Sequence, residues 1–483
     1  MTAEQMSIST SKSTTTGAGT ALTNTRGRWL HHWNAEDEKQ WNSVGRAIAK
    51  RNLAWSIACE FLGFVVWQLW SIVVVFMPAA GFTFSSGELF WLISIPSLVG
   101  ATLRIPYTFM VAKFGGRNWT IVSALLLLIP TLGMAWCLGN PETPFGTMLV
   151  VAALAGLGGG NFASSMANIT YFYPAREKGW ALGLNAAGGN LGAAVAQFMV
   201  PVAVTVLAAG TLGLPLAGLM WVPLILIAAW GAWKYMDNLS SAKSDMAGSL
   251  ASLREPHLWI LALLYIGTFG SFIGFSAVFP KLIMDSFGPG VGLKLGPAII
   301  SLAFLGALIG SLARPYGGKL ADRWGGARVT VACFGVLALT AMVQVLTLPL
   351  GSFPLFLVLF LVLFAAAGAG NGSTYRMIPM VFALRANASG EAGDAGDAGD
   401  AGDAGDGAGH MSATRKGSAA LGIISAIGAY GGFVVPQVLN ASRQSTGGYE
   451  GAFIGFVAAY LALMALTWAV YLRRSSAASL GNV

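Results

Sequence analysis

The sequence predicts an all-α membrane protein in which twelve transmembrane helices form two pseudosymmetric six-helix halves. Of the 483 residues, 55% are hydrophobic and only 10% are charged, whereas a typical soluble chain carries about 25% charged residues. Twelve apolar stretches approach the roughly 20 residues that a helix needs to cross a bilayer. Motifs of the first six stretches recur in the last six, which indicates two related halves.

The apolar stretches follow one another with short polar loops between them. We place them at approximately 54–79, 88–112, 118–138, 146–172, 179–207, 212–236, 257–284, 294–322, 327–349, 353–380, 416–440 and 449–472. These positions divide the chain into five parts. They are an N-terminal tail (1–52) ending in an amphipathic helix (35–51), an N-terminal half (53–237), a linker (238–256), a C-terminal half (257–474) and a short tail (475–483).

Basic residues concentrate on one side of the expected membrane. Of the 28 lysines and arginines, only Lys281, Lys294 and Arg443 fall in loops on the side opposite the termini. Because cytoplasmic loops carry the excess of Lys and Arg, we expect both termini in the cytoplasm and the protein in the inner membrane. The formal net charge of +8 is explained by this orientation, so nucleic-acid binding is not expected.

No group of residues has the spacing of a catalytic or metal site. The three cysteines lie in or beside different apolar stretches, and the glycine-rich runs lack the preceding strand of a nucleotide-binding motif. We therefore expect no cofactor, no metal ion and no enzymatic activity.

An arginine occupies the same place in each half. The segment GATLRIPY (100–107) contains Arg104, and GSLARPY (310–316) contains Arg314; the same offset relates Asn161 to Asn371. A cation at the centre of a bilayer costs about 2.5–3.5 kcal/mol even on insertion scales. One such arginine could form a structural ion pair, but buried acids are almost absent. Two at matched positions indicate an anion shared between the halves.

The residue types around the arginines indicate which anion they would bind. Arginine stays protonated, and its planar fork suits flat, forked oxyanions. The other candidates are few, so we expect a small, weakly hydrated, flat monoanion. The other candidate residues are Asn161, Ser164, Ser165, Asn168, Asn185, Asn190, Tyr265 and Phe269. Helix–helix hydrogen bonding is the alternative for the amides and hydroxyls, and simple packing is the alternative for the aromatic rings.

Two glycine-rich segments also correspond between the halves. KGWALGLNAAGGNLG (178–192) matches KGSAALGIISAIGAYGG (416–432), and small residues let helices approach closely. The signature positions are Gly179, Gly183, Asn185, Gly189, Gly192, Gly422, Gly428 and Gly431. Their wider offset is caused by an Asp/Gly-rich insertion at about 386–414, which we expect to be a disordered cytoplasmic loop without assigned function.

These motifs resemble a known family, the nitrate/nitrite porters of the major facilitator superfamily. GKLADRWGGAR (318–328) is similar to the superfamily's signature loop, and the paired glycine-rich segments resemble the family's nitrate signatures. GNFASSMANITYFYP (160–174) and LYIGTFGSFIGFS (264–276) add further matches, and the likeness covers about residues 35–474. The resemblance implies the major facilitator fold and transport of nitrate and nitrite.

The resemblance also implies roles for individual residues. Arg104 and Arg314 would clamp the anion, Phe162 and Tyr265 would line the site, and Asn190 would donate a hydrogen bond. Ser425 and Gly428 would lie nearby, and we include Phe269 as a substrate-binding candidate beside Tyr265. The signature loop would act as a gate that latches the cytoplasmic face through charge pairs, with the residues Gly318, Asp322, Arg323, Gly325 and Arg328.

The coupling mode stays open between two alternatives. Enclosing two uncompensated charges in a low-dielectric cavity is costly, which favours exchange of nitrate for nitrite. Nitrate–proton symport instead needs a titratable group, and Glu60 in the first apolar stretch is the candidate proton carrier, with helix packing as its other interpretation. A passive anion channel and a nitrate sensor are more distant alternatives. Because one chain holds both halves, we expect a monomer in the lipid bilayer.

Overall fold

The computed structural model describes residues 22–207, 213–242, 252–295, 298–388 and 420–473. Several expectations concern residues outside these ranges: the first 21 residues of the tail, about half of the linker, nearly all of the Asp/Gly-rich insertion and the C-terminal tail.

Twelve long helices account for most of the described residues. In chain order they are α1 (Glu38–Val73), α2 (Ser86–Phe114), α3 (Gly116–Leu138), α4 (Phe145–Phe172), α5 (Ala175–Thr205), α6 (Leu216–Tyr235), α7 (Pro256–Phe287), α8 (Ala303–Trp324), α9 (Gly326–Leu350), α10 (Phe353–Ala388), α11 (Ala420–Thr446) and α12 (Glu450–Leu472).

Among the described residues, eleven of these helices are long and apolar enough to cross a membrane. The other one is α8, which has 22 residues and is therefore long enough to span. Its hydropathy is lower because it carries Arg314, Lys319, Asp322 and Arg323. The twelve helices of the described chain agree with the predicted all-α fold class.

The first helix differs from the sequence prediction at both ends. Residues 38–52, which were assigned to the tail, belong to α1, so the predicted amphipathic helix is continuous with the first span. The helix ends at Val73 instead of residue 79. A short 3-10 turn follows at Pro78–Ala80, because proline has no N–H to continue the helical hydrogen bonds.

The eighth and tenth helices also have different bounds from those expected. A hairpin of β4 (Leu293–Leu295) and β5 (Ala298–Ile300) replaces the predicted start of the eighth span. Leu-Lys-Leu alternates apolar and charged side chains and the isoleucines favour strands, so α8 begins at Ala303. Helix α10 continues to Ala388, past the expected end at residue 380 and into the start of the predicted insertion.

The two halves meet along two pairs of helices. Helix α2 packs on α11, and α5 packs on α8. At the first contact, Gln437 Nε2 donates to Ser94 Oγ at 2.7 Å, and the hydroxyls of Thr102 and Tyr430 are 2.9 Å apart. Because α2 and α8 each belong to one of these pairs, an arginine on either helix can face the interface between the halves.

The described part of the N-terminal tail forms a small sheet with the beginning of the linker. Strand β1 (Thr23–Thr25) pairs antiparallel with β2 (Trp29–His31), and β2 pairs parallel with β3 (Asn238–Leu239). The tail is therefore anchored to the chain segment that leaves the N-terminal half.

A buried carboxylate fixes the same region. Asp237 is fully buried and accepts hydrogen bonds from Arg28 Nη2 (2.8 Å), Arg51 Nη2 (2.6 Å) and Asn52 Nδ2 (2.8 Å). Burial of an unpaired charge would be costly, and these donors offset that cost. They also connect the tail, the start of α1 and the end of α6.

Candidate anion site

Arg104 is a fully buried cation that contacts both halves. Its Nε donates to the Gly159 carbonyl on α4 at 3.2 Å, and its Nη1 donates to the Ser425 carbonyl on α11 at 3.0 Å. The first contact depends on Gly100, because a Cβ there would lie 3.1 Å from the Gly159 Cα and 2.9 Å from Trp67 Nε1. Close packing of α2 on α4 thus positions the guanidinium.

Arg314 approaches the same aromatic ring from the other half. The Phe162 ring centroid lies 4.4 Å from the guanidinium carbon of Arg104 and 5.7 Å from that of Arg314. Arg314 is only 4% exposed. Both distances are within the range of cation–π attraction, so one ring partly compensates two cations and keeps them close together.

Four aromatic rings form a continuous row beside the arginines. Phe162 stacks on Phe269 at 6.1 Å, Phe269 stacks on Tyr265 at 5.2 Å, and Tyr265 contacts Tyr375 at 6.0 Å between centroids. Tyr265 precedes a π-helical stretch at Ile266–Gly270 that contains Phe269. Such distortions are frequent at functional sites, and here the distortion presents both rings to the arginines.

Several polar atoms in this region have no partner among the described residues. Arg104 Nη2 and Arg314 Nη1 are both buried without an acceptor, and so are the Ser425 hydroxyl and the Asn190 side-chain amide. A buried unpaired polar group costs about 1–3 kcal/mol, and more when it is charged. An anion between the two guanidiniums would supply the missing acceptors.

The remaining predicted substrate-binding residues take different places. Gly428 lies against the Tyr265 ring, which a Cβ at this position would overlap. Ser425 contacts Arg104 through its backbone carbonyl. Asn190 is 1% exposed on α5, and its neighbour in sequence, Gly189, packs against the carboxyl group of Glu60 on α1.

Two neighbours of the arginines were not predicted from the sequence. The Arg104 guanidinium carbon is 5.4 Å from the Trp67 ring, and that of Arg314 is 5.4 Å from the Tyr375 ring. Tyr375 follows Asn371 by one helical turn on α10, and this spacing was the available signal. Trp67 had no comparable signal, because it belongs to no duplicated motif.

The signature glycines divide into two groups. Gly189, Gly192, Gly422 and Gly431 each face another helix closely enough that a Cβ would contact it. By contrast, Gly179 and Gly183 have no neighbouring atom within 4 Å of a Cβ position. The expected close packing is therefore wrong for these two residues, because it is Ala181 between them that is buried against α1 and α4.

Glu60 is fully buried and interacts electrostatically with both arginines. Its Oε2 accepts hydrogen bonds from Ser165 Oγ and from Asn185 Nδ2, the latter at 2.6 Å. Its Oε1 has no partner among the described residues. The expectation that almost no buried acid accompanies the arginines therefore needs correction, because one carboxylate lies beside them.

The predicted gating loop forms an ion pair within one half. Asp322 at the end of α8 pairs with Arg376 on α10. Between described residues, every ion pair on this face of the bundle joins groups of the same half. The predicted loop is instead the end of α8, Gly325 and the beginning of α9, so Gly318, Arg323 and Arg328 lie in helices. No ion pair between described residues connects this segment to the N-terminal half.

Comparison with known proteins identifies the family. The model of the Major Facilitator Superfamily matches residues 60–396. The nitrate/nitrite transporter NarU of Salmonella typhimurium is 42% identical over 471 residues, which cover 92% of this chain and 96% of NarU. The chain belongs to the nitrate/nitrite porters of the Major Facilitator Superfamily. This porter is also 35% identical to the probable nitrate/nitrite antiporter NarK2 of Thermus thermophilus, with 94% and 99% of the two chains covered.

Solved structures support the same fold for this porter. The structure of the nucleoside transporter NupG aligns with this porter with a TM-score of 0.57 and 13% sequence identity. The alignment covers 86% of this chain and 99% of the NupG chain. A bacterial homolog of the human lysosomal transporter Spinster aligns with a TM-score of 0.57 and 15% sequence identity, over 88% of this chain and 97% of the homolog. At these identities the similarity concerns the fold alone, and it confirms the predicted major facilitator fold of a multi-pass membrane protein.

Proposed function

We propose that this porter moves nitrate and nitrite across the membrane by alternating access, with the anion held between Arg104 and Arg314. The observation that carries the proposal is that one guanidinium from each half lies against the same Phe162 ring, each with an unpaired N–H group. A site formed by both halves can open to either side when the halves rock around it. The 42% identity to NarU supports the same substrates.

The charges and rings favour a small, flat monoanion. When Glu60 is ionised, two guanidiniums and one carboxylate leave one positive charge, which a single monoanion cancels. Nitrate and nitrite are planar, so they can lie along an aromatic row and accept hydrogen bonds in the plane of a guanidinium fork. A dianion would overcompensate the charge and would require further donors.

The same charge count favours exchange of nitrate for nitrite. The site is neutral when it holds one monoanion and positive when it holds none. Enclosing a net charge in a low-dielectric interior is costly, so the bundle changes conformation more readily with an anion bound. A carrier with this property returns only when it binds an anion on the other side, and NarK2, a relative, is named as a probable antiporter.

Nitrate–proton symport is the second candidate, and Glu60 favours it. This carboxyl group is buried beside the arginines, and one of its oxygens has no partner among the described residues. A proton on Glu60 would change the charge of the site and could travel with the anion. A passive channel and a nitrate sensor are less well supported, because the relatives are named as transporters.

The proposal includes a location and a molecular state. We place the porter in the inner membrane of a bacterium, because its relatives are bacterial, with both termini in the cytoplasm according to the distribution of basic residues. It acts as a monomer in the lipid bilayer, because one chain supplies both arginines. It acts as a transporter and not as an enzyme.

Vesicles loaded with nitrite test the proposal. Purified porter is reconstituted into liposomes that contain nitrite, chloride or no permeant anion, and uptake of labelled nitrate is measured with and without a pH gradient. Exchange predicts fast uptake with internal nitrite, at least tenfold slower uptake with chloride, and little effect of pH. Uptake that requires the pH gradient and not internal nitrite would favour symport, and uptake that does not saturate would contradict a carrier.

A further inference from the structure

A small polar pocket lies beside Glu60 and apart from the two arginines. It has room for about one water molecule. Helices α1, α3 and α4 form it, and seven of its eight lining residues carry a side-chain oxygen. The lining residues are Ser56, Cys59, Glu60, Thr120, Ser123, Asn161, Ser164 and Ser165. We call this the Glu60 pocket.

The hydroxyl hydrogens around the Glu60 pocket are already used. Thr120 donates to the Gly116 carbonyl at 2.8 Å, Ser123 donates to the Thr120 carbonyl at 3.2 Å, and Ser164 donates to the Asn161 carbonyl at 3.1 Å. A hydroxyl whose hydrogen is committed offers only its lone pairs. These three side chains can therefore act only as acceptors toward the pocket.

The other two hydroxyls form a chain that ends on the carboxylate. Ser165 donates to Glu60 Oε2, so the 2.9 Å bond between Ser56 and Ser165 uses the hydrogen of Ser56. Asn185 Nδ2 donates to Glu60 Oε2 as well. Both hydroxyl hydrogens are thus directed toward the carboxylate, and the only uncommitted donor of the lining is the Asn161 amide.

Two lining side chains have buried atoms without a partner among the described residues. They are Glu60 Oε1 and both polar atoms of the Asn161 amide. Glu60 is fully buried and Asn161 is 3% exposed. The pocket therefore combines one unpaired carboxylate oxygen and one unpaired amide oxygen with hydroxyl oxygens whose lone pairs are available to a cation.

We propose that the Glu60 pocket binds one Na⁺ ion. A water molecule could serve the two unpaired oxygens, but it would leave the charge of the buried carboxylate uncompensated, whereas a cation cancels that charge and also binds the hydroxyl lone pairs. One carboxylate among neutral oxygens suits a monovalent ion, because divalent sites of hard cations collect more carboxylates. Na⁺ is smaller than a water molecule and fits a pocket for one water, whereas K⁺ is about as large as a water molecule and would fill the pocket completely.

The Na⁺ site would be linked to the anion site, and this link rests on the proposed function. On α4, Gly159 and Phe162 contact Arg104, while Asn161 and Ser164 line the Glu60 pocket. Na⁺ beside Glu60 would cancel its charge and strengthen the attraction of the arginines for nitrate, while the loaded site would then keep one positive charge and change conformation less readily. Binding of either ion therefore strengthens binding of the other by the same factor.

Other ionisable groups also influence Glu60. The charged ones are Arg104 on α2 and Arg314 on α8, and the titratable ones include Tyr375 on α10 and Cys59 next in sequence. A pH effect could come from any of these groups, whereas a Na⁺ effect at constant pH reports on the acceptors of the pocket. The tests therefore vary the two ions separately.

The first test measures Na⁺ binding without nitrate. The full chain in detergent is melted in NaCl and in choline chloride at the same ionic strength and pH. The proposal predicts a saturable rise of a few degrees in the melting temperature with NaCl, and a smaller rise or none with KCl. An equal rise with all three salts, or no rise at all, would overturn it.

Two threonines of α3 provide a matched pair of variants. Thr120 and Thr131 are both buried and donate to the carbonyl four residues earlier, but only Thr120 lines the pocket. Thr120→Val should lose the Na⁺-dependent shift, whereas Thr131→Val should keep it. Ser123→Ala is a second variant with the expected loss. A full Na⁺ shift in both Thr120→Val and Ser123→Ala would contradict the site.

The second test separates this proposal from the proposed function. Nitrate uptake into nitrite-loaded vesicles is measured with NaCl or choline chloride at constant pH. We expect Na⁺ to lower the apparent KM for nitrate about fivefold or more, and Glu60→Gln to remove this effect. Exchange that is unaffected by Na⁺, or affected by pH alone, overturns the Na⁺ site while leaving the exchanger intact. Absence of any exchange overturns the proposed function, and the melting test still decides on Na⁺ binding.

Discussion

Both buried positions use N–H donors of arginine that lysine does not have. Arg104 uses Nε and Nη1 to hold two backbone carbonyls and keeps Nη2 unpaired. An ammonium group has no flat fork to place three donors in one plane and stacks less well on rings. A lysine could therefore preserve the charge but not the position of the free N–H group.

Replacing either arginine by lysine should therefore weaken nitrate binding. Arg104→Lys and Arg314→Lys should each raise the KM for nitrate about 100-fold or more, because each loses charged hydrogen bonds of about 1.5–3 kcal/mol. Uptake into nitrite-loaded vesicles measures the effect. Arg46→Lys is the control, because Arg46 lies on the surface and pairs with Glu177 through its charge. Near-normal transport by either site variant would contradict the clamp.

Single residues were predictable where the chain repeats itself. Arg104 and Arg314 could be found because the two halves carry the same motif, and the relation between Asn161 and Asn371 followed from the same offset. Glu60 was recognised as a possible proton carrier, but its place beside the arginines was not foreseeable. The burial and orientation of the Glu60 side chain depend on how α1 is rotated about its axis against α4 and α5. A helix whose polar residues do not recur on one face gives no sign of that rotation.

At the scale of elements, the two nitrate-signature segments have different surroundings. In the second segment Gly428 lies against the Tyr265 ring and Gly431 lies against the backbone of Gly270 on α7. Gly183 and Gly422 are counterparts, but among the described residues only Gly422, which lies against Thr108 of α2, has an atom within 4 Å of a Cβ position. Similar sequences therefore perform different packing roles, and only some of the signature glycines hold aromatic rings at the anion site.

Alanine substitutions at two signature glycines should separate these roles. Gly428→Ala places a methyl group on Tyr265, and overpacking of this kind costs about 1–3 kcal/mol, so kcat/KM for nitrate should fall about tenfold. Gly183→Ala is the matched control: it has space and gains helix propensity, so transport should be unchanged. Counterflow measures both variants. Equal activity of the two variants would show that Gly428 does not position the ring.

Helix positions were predictable to within a few residues, except where short-range chemistry intervenes. Most predicted apolar stretches overlap one long helix, because hydropathy measures the length of chain that can cross a bilayer. The hairpin before α8 was missed, since its strands are three residues long. A strand of this length has too few residues to show a period, and it was counted with the apolar helix that follows.

For the whole molecule, a small charged cluster at one face of the bundle contacts both halves. Arg443 and Lys281, two of the three basic residues expected on the side opposite the termini, both pair with Asp285. The Tyr449 hydroxyl also donates to Asp285, and burial together with this carboxylate raises the pKa of the phenol, which therefore stays protonated. Lys281 Nζ lies 5.2 Å from the Phe90 ring of the N-terminal half, so the cluster contacts both halves.

The arrangement of two halves was predictable, while the role of the tail was not. Duplication gave the pseudosymmetry and, through it, the expectation of a shared central site. The small sheet between the tail and the linker joins strands of two or three residues that lie far apart in the chain. No local pattern indicates such a pairing, and the buried Asp237 that supports it has partners in the tail and in α1.

The most direct test of the central claim is a structure of the porter determined with nitrate bound. The account predicts one flat anion beside Phe162, with its oxygens about 2.7–3.2 Å from nitrogen atoms of both Arg104 and Arg314. Nitrate that contacts only one of the two arginines, or that binds elsewhere while the two guanidiniums stay unpaired, would contradict it.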